Sequence, residues 1–498
     1  MEIREVAVVG LGTMGAGIAE VFARAGAGVV AIEIDAEALS HGLAIIDGSL
    51  AKAVSRGKLT STEQAAIRSR IRPAGSFADA AGVNLAIEVV PERLDIKRKI
   101  FAELDRACSQ DAILATNTSS LSVTAIAAGT RHPARVVGMH FFNPAPVMRL
   151  VEVVSTVLTD PALAATVAAV ARSLGKTPVQ VSDRAGFVAN ALLLPYLNHA
   201  VRLLETGYAS REDIDTAATL GIGLPMGPLA LLDLIGLDTS LSVLEVLQGE
   251  FGGARYTPAP LLRRLTDAGR VGRKSGRGIY EYGGAARGDS DQDGNGAAPS
   301  PPSTVTLIGS GGAAQAELAS AAAAAGINVT RNPAHPSDLV VIAAAPDDQV
   351  LSAALATDRP EQAVGLHLAA AGGLAEIVTT RLTSGPAAAA AGALASKLGL
   401  RAVYAPDRPG FLVSALLYPH LADAVRMVQD GYATPADVDT AMTLGCGYPQ
   451  GPFQLLDKVG ASVVLAGLQA MHAAYGDAAF APPPLLVEHA EAAMGFAG

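Results

Sequence analysis

The chain has no tryptophan, and only 4 % of its 498 residues are aromatic. Such a composition suits close helix packing more than aromatic stacking platforms. There are two cysteines, Cys108 and Cys446. Neither lies in a CxxC pattern or beside a histidine, so neither a zinc site nor a disulfide framework is expected. Both read as reduced, buried thiols. Basic clusters are missing too: 37 Lys and Arg face 47 Asp and Glu, for a net charge of −10. A nucleic-acid surface needs concentrated positive charge. No run of about 18 apolar residues is free of charge, Gly or Pro. Met1 leads into a strand without the basic and apolar regions of a signal peptide. A cytoplasmic protein with no membrane attachment and no metal is expected.

Half the residues are hydrophobic, enough to bury several cores, and the length suits about three or four domains. Val6–Gly10 is a short β-branched run that reads as a buried parallel strand. A glycine-rich turn, a helix over Ile18–Ala25 and a strand over Val29–Ile32 follow. Leu85–Val90, Ala112–Ala115 and Val136–Gly138 read as further strands, with a helix over Arg93–Ala107. Alternating strands and helices predict an α/β fold with a doubly wound parallel sheet. Beyond about residue 184 the period becomes helical, over Phe187–Glu205, Arg211–Leu220 and Ala230–Leu247. This helical domain runs to about Tyr282. Residues 283–303 are Gly, Ser, Pro and Asp with almost no apolar content, as in a linker.

A repeat follows. Aligned without gaps, residues 184–236 and 408–460 are identical at 29 of 53 positions. The helical domain is therefore duplicated. Both copies keep a helix start, Ser210 with Asp213 and Thr434-Pro435 with Asp437. Between linker and second copy, residues 304–407 open as a strand and a glycine turn, and read as a reduced Rossmann-like unit. The expected domains are 1–183, 184–282, 304–407 and 408–498, with 283–303 as linker.

Gly10-Leu11-Gly12-Thr13-Met14-Gly15 is a GxGxxG pattern between a buried strand and a helix, the context in which it binds a dinucleotide. Gly10 makes the turn, Gly12 admits the pyrophosphate, and Gly15 lets helix and strand pack. The helix N-terminus attracts the phosphates. Glu33 ends the next strand, 18 residues after Gly15. Its carboxylate can accept from ribose hydroxyls and would repel a 2′-phosphate, which favours NAD over NADP. The second turn, Gly309-Ser310-Gly311, has Pro333 where the ribose carboxylate should stand. No nucleotide is expected there.

Four polar residues lie in apolar or motif-like surroundings: Ser119 in NTSSL, His140 in MHFFNP, Glu152 in LVEVV and Asn190 in GFVAN. A buried carboxylate needs a partner, and His140 is the candidate for Glu152. At NTSSL, HFFNPAPVMRLVEV and GFVANALLLPYLNHA the sequence resembles the L-3-hydroxyacyl-CoA dehydrogenases. The resemblance covers residues 1 to about 282 and resumes over about 404–495. The whole layout is similar to the long bacterial 3-hydroxybutyryl-CoA or 3-hydroxyadipyl-CoA type.

The resemblance implies oxidation of an (S)-3-hydroxyacyl-CoA by NAD. His140 would be the general base, steadied by Glu152. Ser119 and Asn190 would orient the substrate oxygen. Glu92, Lys97, Asn117, Ser119, Asn143 and Lys274 would contact the cofactor, beside Gly10, Gly12, Thr13, Met14, Gly15 and Glu33. Ser49 and Arg56 would face coenzyme A, although Lys is more usual in the family at the second of these.

The second half departs from this pattern. Ser414 replaces Asn190. His367 and Glu376 only faintly resemble the His and Glu strings, with a spacing of 9 rather than 12. No equivalent of Ser119 is visible, and one active site per chain is expected. The second helical copy would stand in for the partner subunit of shorter relatives, giving an internal pseudo-dimer. Further association is open. A dehydrogenase of a non-CoA hydroxy acid and a silent NAD-binding scaffold are the other readings. The first would lose the CoA-facing helix and the second His140 or Glu152, and all are present.

Overall fold

The computed structural model describes residues 3–282, 300–309, 313–332, 335–346, 348–369 and 372–496. Most of the expected linker, at 283–299, lies outside these residues, as do Ser310, Gly311 and Pro333. The chain divides into two compact units, Met1–Ala191 with Asp430–Gly451, and Leu192–Gln429 with Pro452–Gly498. These units cut across the sequence domains, because a piece of the second helical copy packs with the first sheet.

In the first unit, β1 (Glu5–Val9), α1 (Thr13–Arg24) and β2 (Gly28–Ile32) form the expected strand–helix–strand unit. α2 (Ala36–Ser55), α3 (Ser61–Ser69), β3 (Ile71–Ala74), β4 (Leu85–Glu88), α4 (Leu94–Ala107), β5 (Ile113–Thr116) and α5 (Val123–Ala127) continue the winding. β6 (Val136–Phe141), β7 (Leu150–Ser155), α6 (Pro161–Ser173) and β8 (Thr177–Ser182) complete it. The eight strands lie in the order β3-β2-β1-β4-β5-β6-β7-β8. β1 to β6 pair in parallel, whereas β6 and β7 are antiparallel. The parallel strands are buried on both faces, which is why they read as unbroken apolar runs.

The helical segments begin with α7 (Ala189–Glu205) and α8 (Arg211–Thr216), the latter leading into a wider π turn over Ala217–Ile222. The helix expected over Ala230–Leu247 is two helices, α9 (Pro228–Ile235) and α10 (Leu237–Phe251). Gly236 between them has φ of 106°, which a continuing helix cannot contain. α11 (Gly253–Tyr256) and α12 (Pro260–Asp267) follow.

A second sheet contains β9 (Thr304–Ile308), β10 (Asn328–Thr330), β11 (Leu339–Ala343), β12 (Ala363–Leu368), β13 (Leu374–Thr379) and β14 (Arg401–Pro406). Its helices are α13 (Ala313–Ala324), α14 (Val350–Leu355) and α15 (Gly385–Lys397). The order β10-β9-β11-β12-β13-β14 repeats that of the first sheet with two strands fewer. Again a single antiparallel pair, β12 with β13, follows the parallel strands. The second helical copy comprises α16 (Val413–Gln429), α17 (Pro435–Cys446), α18 (Pro452–Val459), α19 (Ala461–Tyr475) and α20 (Pro484–Glu491). Both predicted helix starts are present: Ser210 accepts from the Asp213 amide, and Thr434 with Asp437 forms a capping box. Among the described residues, no helix is long and apolar enough to cross a membrane.

Candidate active site

The glycine turn joins β1 to α1. Gly10 has φ of 93°, and a Cβ on Gly15 would lie 1.8 Å from the Gly10 carbonyl oxygen. Only glycine fits at both positions. A Cβ on Gly12 meets nothing within 4 Å, so the backbone is open on that side. Gly12 is the N-cap of α1, and no side chain caps that end. The first amides, from Thr13 and Met14 onward, stand at the positive end of the helix dipole. Glu33 completes the cradle. Its Oε1 accepts from the Leu11 amide at 2.6 Å and its Oε2 from Ile34 at 2.8 Å. The carboxylate is thus tied to the glycine turn, while Ile34 beside it is 90 % exposed. A dinucleotide with free ribose hydroxyls fits these residues.

Beneath the next loops runs a charged network. Glu88 is fully buried at the end of β4 and accepts from Lys97 Nζ at 2.8 Å, Thr116 Oγ1 at 2.7 Å and the Val90 amide at 2.7 Å. Lys97 also lies 3.3 Å from a Glu92 oxygen. Glu92 Oε1 accepts from Thr118 Oγ1 at 2.5 Å and from the Ser119 and Ser120 amides at 2.9 and 3.0 Å. Burial works against ionising Glu92, but Lys97 and these donors outweigh it and hold its pKa below the ordinary value. Lys97 is only 1 % exposed. Its ammonium lies between the Glu88 and Glu92 carboxylates. Glu88 sits in the apolar run LAIEVV, the same sequence signal that marks Glu152, and is a further buried polar residue of the site.

His140 and Glu152 face each other directly across the antiparallel pair β6–β7. His140 Nδ1 lies 2.7 Å from Glu152 Oε2, with the two residues 6 % and 0 % exposed. A carboxylate only accepts, so Nδ1 carries the proton and Nε2 is left as the basic nitrogen. Glu152 Oε1 accepts from the Val188 and Ala189 amides, both at 3.0 Å. The start of α7 is thereby pinned to β7. Phe142 and Phe187 pack on the imidazole, with ring centroids 4.5 and 5.6 Å away.

Further candidates gather around this pair. Asn117 Oδ1 accepts from the Phe141 amide at 2.8 Å, next to His140 in the chain. Asn190 Nδ2 donates to the Ser119 carbonyl at 3.3 Å. Asn143 is exposed in the loop after β6. Lys176, which sequence reasoning missed, fastens that loop by donating to the Ala145 and Met148 carbonyls at 2.6 and 2.8 Å. Ser49 lies in α2, and Arg56, seven residues on, is the exposed C-cap of that helix. Lys274 belongs to the second unit, where its ammonium is 2.6 and 2.7 Å from the two Asp238 oxygens.

The second half corrects one expectation. His367 and Glu376 are also directly opposed, across β12–β13, and His367 Nδ1 is 2.7 Å from Glu376 Oε2. Glu376 Oε1 accepts from the Leu412 and Val413 amides, both at 2.8 Å. The faint resemblance is a complete dyad. The shorter spacing reflects only a shorter loop between the strands. Three site positions differ: Pro346 and Ala344 follow β11 where Ser119 and Asn117 follow β5, and Ser414 stands for Asn190.

A family model described as 3-hydroxyacyl-CoA dehydrogenase, NAD binding domain, matches residues 5–184. A second, described as 3-hydroxyacyl-CoA dehydrogenase, C-terminal domain, matches residues 186–282 and again 410–495. A 3-hydroxyadipyl-CoA dehydrogenase of Escherichia coli (strain K12) is 33 % identical over 497 residues, covering 100 % of this chain and 99 % of that protein. A 3-hydroxybutyryl-CoA dehydrogenase of Clostridioides difficile is 45 % identical over 278 residues, 56 % of this chain and 99 % of its own length. The crystal structure of a 3-hydroxybutyryl-CoA dehydrogenase from Escherichia coli K12 has a TM-score of 0.83 and 33 % identity, covering 99 % of each chain. The chain therefore belongs to the 3-hydroxyacyl-CoA dehydrogenase family and is an NAD-binding oxidoreductase.

Proposed function

We propose that the chain oxidises a short-chain (S)-3-hydroxyacyl-CoA to the 3-ketoacyl-CoA in the first unit, with His140 as general base. The observation that carries this reading is the 2.7 Å contact between His140 Nδ1 and Glu152 Oε2, in the same compact unit as the glycine turn. NAD⁺, when bound, supplies the hydride acceptor for C3. Gly10, Gly12, Thr13, Met14, Gly15 and Glu33 would hold its phosphates and adenosine ribose. Glu92, Asn117, Ser119 and Asn143 would hold the remainder, with Lys97 acting through Glu92.

His140 Nε2 takes the proton of the 3-hydroxyl as the C3 hydride departs. Glu152 keeps Nδ1 protonated and stabilises the imidazolium that results. Ser119 and Asn190 orient the substrate oxygen as it gains carbonyl character. Ser49 and Arg56 meet the coenzyme A phosphates, a task a guanidinium performs as well as an ammonium. The second half, lacking counterparts of Ser119 and Asn117, serves as the internal partner of the first.

The relatives named above support 3-hydroxybutyryl-CoA and 3-hydroxyadipyl-CoA as substrates. Following NADH absorbance with a series of 3-hydroxyacyl-CoAs, the adipyl compound included, tests the reading. NAD-dependent turnover of one or both is expected. Turnover only of free hydroxy acids would overturn it.

A further inference from the structure

The first compact unit contains a segment from far along the chain, residues 430–451 of the second helical copy. Its helix α17 lies on β7, which pairs with the His140 strand, and on β8 beyond it. A Cβ on Gly445 would stand 2.5 Å from Leu150 Cδ2 and 3.1 Å from Phe142 Cε1. Leu150 begins the Glu152 strand, and the Phe142 ring packs on His140 with centroids 4.5 Å apart. Cys446 follows, and burial together with the Glu152 charge pushes its thiol pKa up. Tyr432, at the other end of the segment, donates from its hydroxyl to the Ser182 carbonyl at 3.0 Å.

The second unit mirrors this arrangement. Gly221 of the first copy is the repeat partner of Gly445, and Leu374 stands to Glu376 as Leu150 to Glu152. A Cβ on Gly221 would lie 2.9 Å from Leu374 Cδ2 and 2.5 Å from Val413 Cγ2. Each helical copy thus packs beside the carboxylate-bearing strand of the opposite half. The strand that the second copy meets belongs to the half that carries Ser119 and Asn117. Glycine is a poor helix former, and the close approach of α17 to Phe142 gives a reason for one at 445.

We propose that residues 430–451 are part of the first half's active site, with Gly445 a positioning residue that sets Phe142 against His140. The proposal rests on the reading of His140 as the base. It gives the second half a catalytic purpose although its own dyad lacks counterparts of Ser119 and Asn117. A side chain at 445 displaces the Phe142 ring and, through it, the imidazole, and small misplacements of catalytic groups lower the rate steeply.

The test compares Gly445→Val and Gly445→Ala with the mirror variant Gly221→Val, all in the full-length enzyme. Gly445→Val should lower kcat roughly ten- to a hundredfold, leave the KM for NAD nearly unchanged and shift the kcat pH profile. Gly445→Ala should fall between it and the wild type, and serves where the valine variant does not fold. Gly221→Val should lower the melting temperature with kcat unchanged. Equal kcat in the two valine variants, or wild-type kcat in both 445 variants, would overturn the proposal. His140→Ala separates the two claims. If it is inactive while the 445 variants are normal, only the positioning role fails. If it keeps full rate, the reading of the base itself fails.

Discussion

The carboxylate of Glu152 is shared between the imidazole of His140, 2.7 Å from Oε2, and the first amides of α7, each 3.0 Å from Oε1. One residue thereby orients the base and fixes the helix that carries Asn190. Glu152→Gln separates the two tasks, because the amide keeps an oxygen for the α7 donors but cannot both satisfy them and accept from Nδ1. The expected result is a fall in kcat of roughly 10²–10⁴-fold with little change in NAD affinity. Calorimetric titration with NAD, beside initial rates, checks it.

Glu33 bonds the Leu11 amide at 2.6 Å, so its carboxylate is oriented before any ligand arrives. Glu33→Gln removes the charge that strengthens hydrogen bonds to ribose hydroxyls and discourages a 2′-phosphate. The KM for NAD should rise about tenfold, equivalent to 1.4 kcal/mol, and the preference over NADP should narrow. kcat at saturation should hold. Steady-state kinetics with both cofactors measures this.

The second dyad offers a control without catalysis. Glu376 pins the Leu412 and Val413 amides as Glu152 pins those of Val188 and Ala189. Glu376→Ala leaves two buried amides and His367 without that acceptor. A loss on the order of 1–3 kcal/mol is expected, seen as a lower melting temperature, with kcat unchanged. A large fall in kcat would show that the second half takes part in the chemistry directly.

Lys176 tests pH dependence. Burial, with a smaller contribution from Arg24, lowers its pKa to about 8. The unfolded side chain titrates near ~10.4. Between those values the unfolded state binds more protons, so this group makes stability rise with pH. Below about pH 8 both states are protonated and the full cost of burying the charge is present. The melting temperature of the wild type relative to Lys176→Met should therefore move in favour of the wild type from pH 8 to 10. The variant also frees the Ala145 and Met148 carbonyls, and with them the Asn143 loop, so its KM for NAD should rise.

Much of the site was legible because polar residues inside apolar strands are costly. His140 and Glu152 stood out for that reason, and their antiparallel register follows from the strands that carry them. Glu88 carries the same signal in LAIEVV, and its partner Lys97 lies nine residues on in the next helix. The His367–Glu376 pair is hard to see in the sequence because linear spacing counts the loop, whereas opposition across two strands does not depend on loop length. The break at Gly236 was written in a single residue amid helical periodicity. The placing of 430–451 on the first sheet had no local signature. It depends on which copy meets which sheet, and two segments with 29 of 53 identical residues look alike in that respect.

The most direct test of the central claim is the single-turnover rate of NADH formation in His140→Ala, with 3-hydroxybutyryl-CoA and saturating NAD. Loss of the base should lower the rate by about 10²–10⁴-fold, with NAD binding intact. A His140→Ala enzyme that forms NADH at the wild-type rate would contradict it.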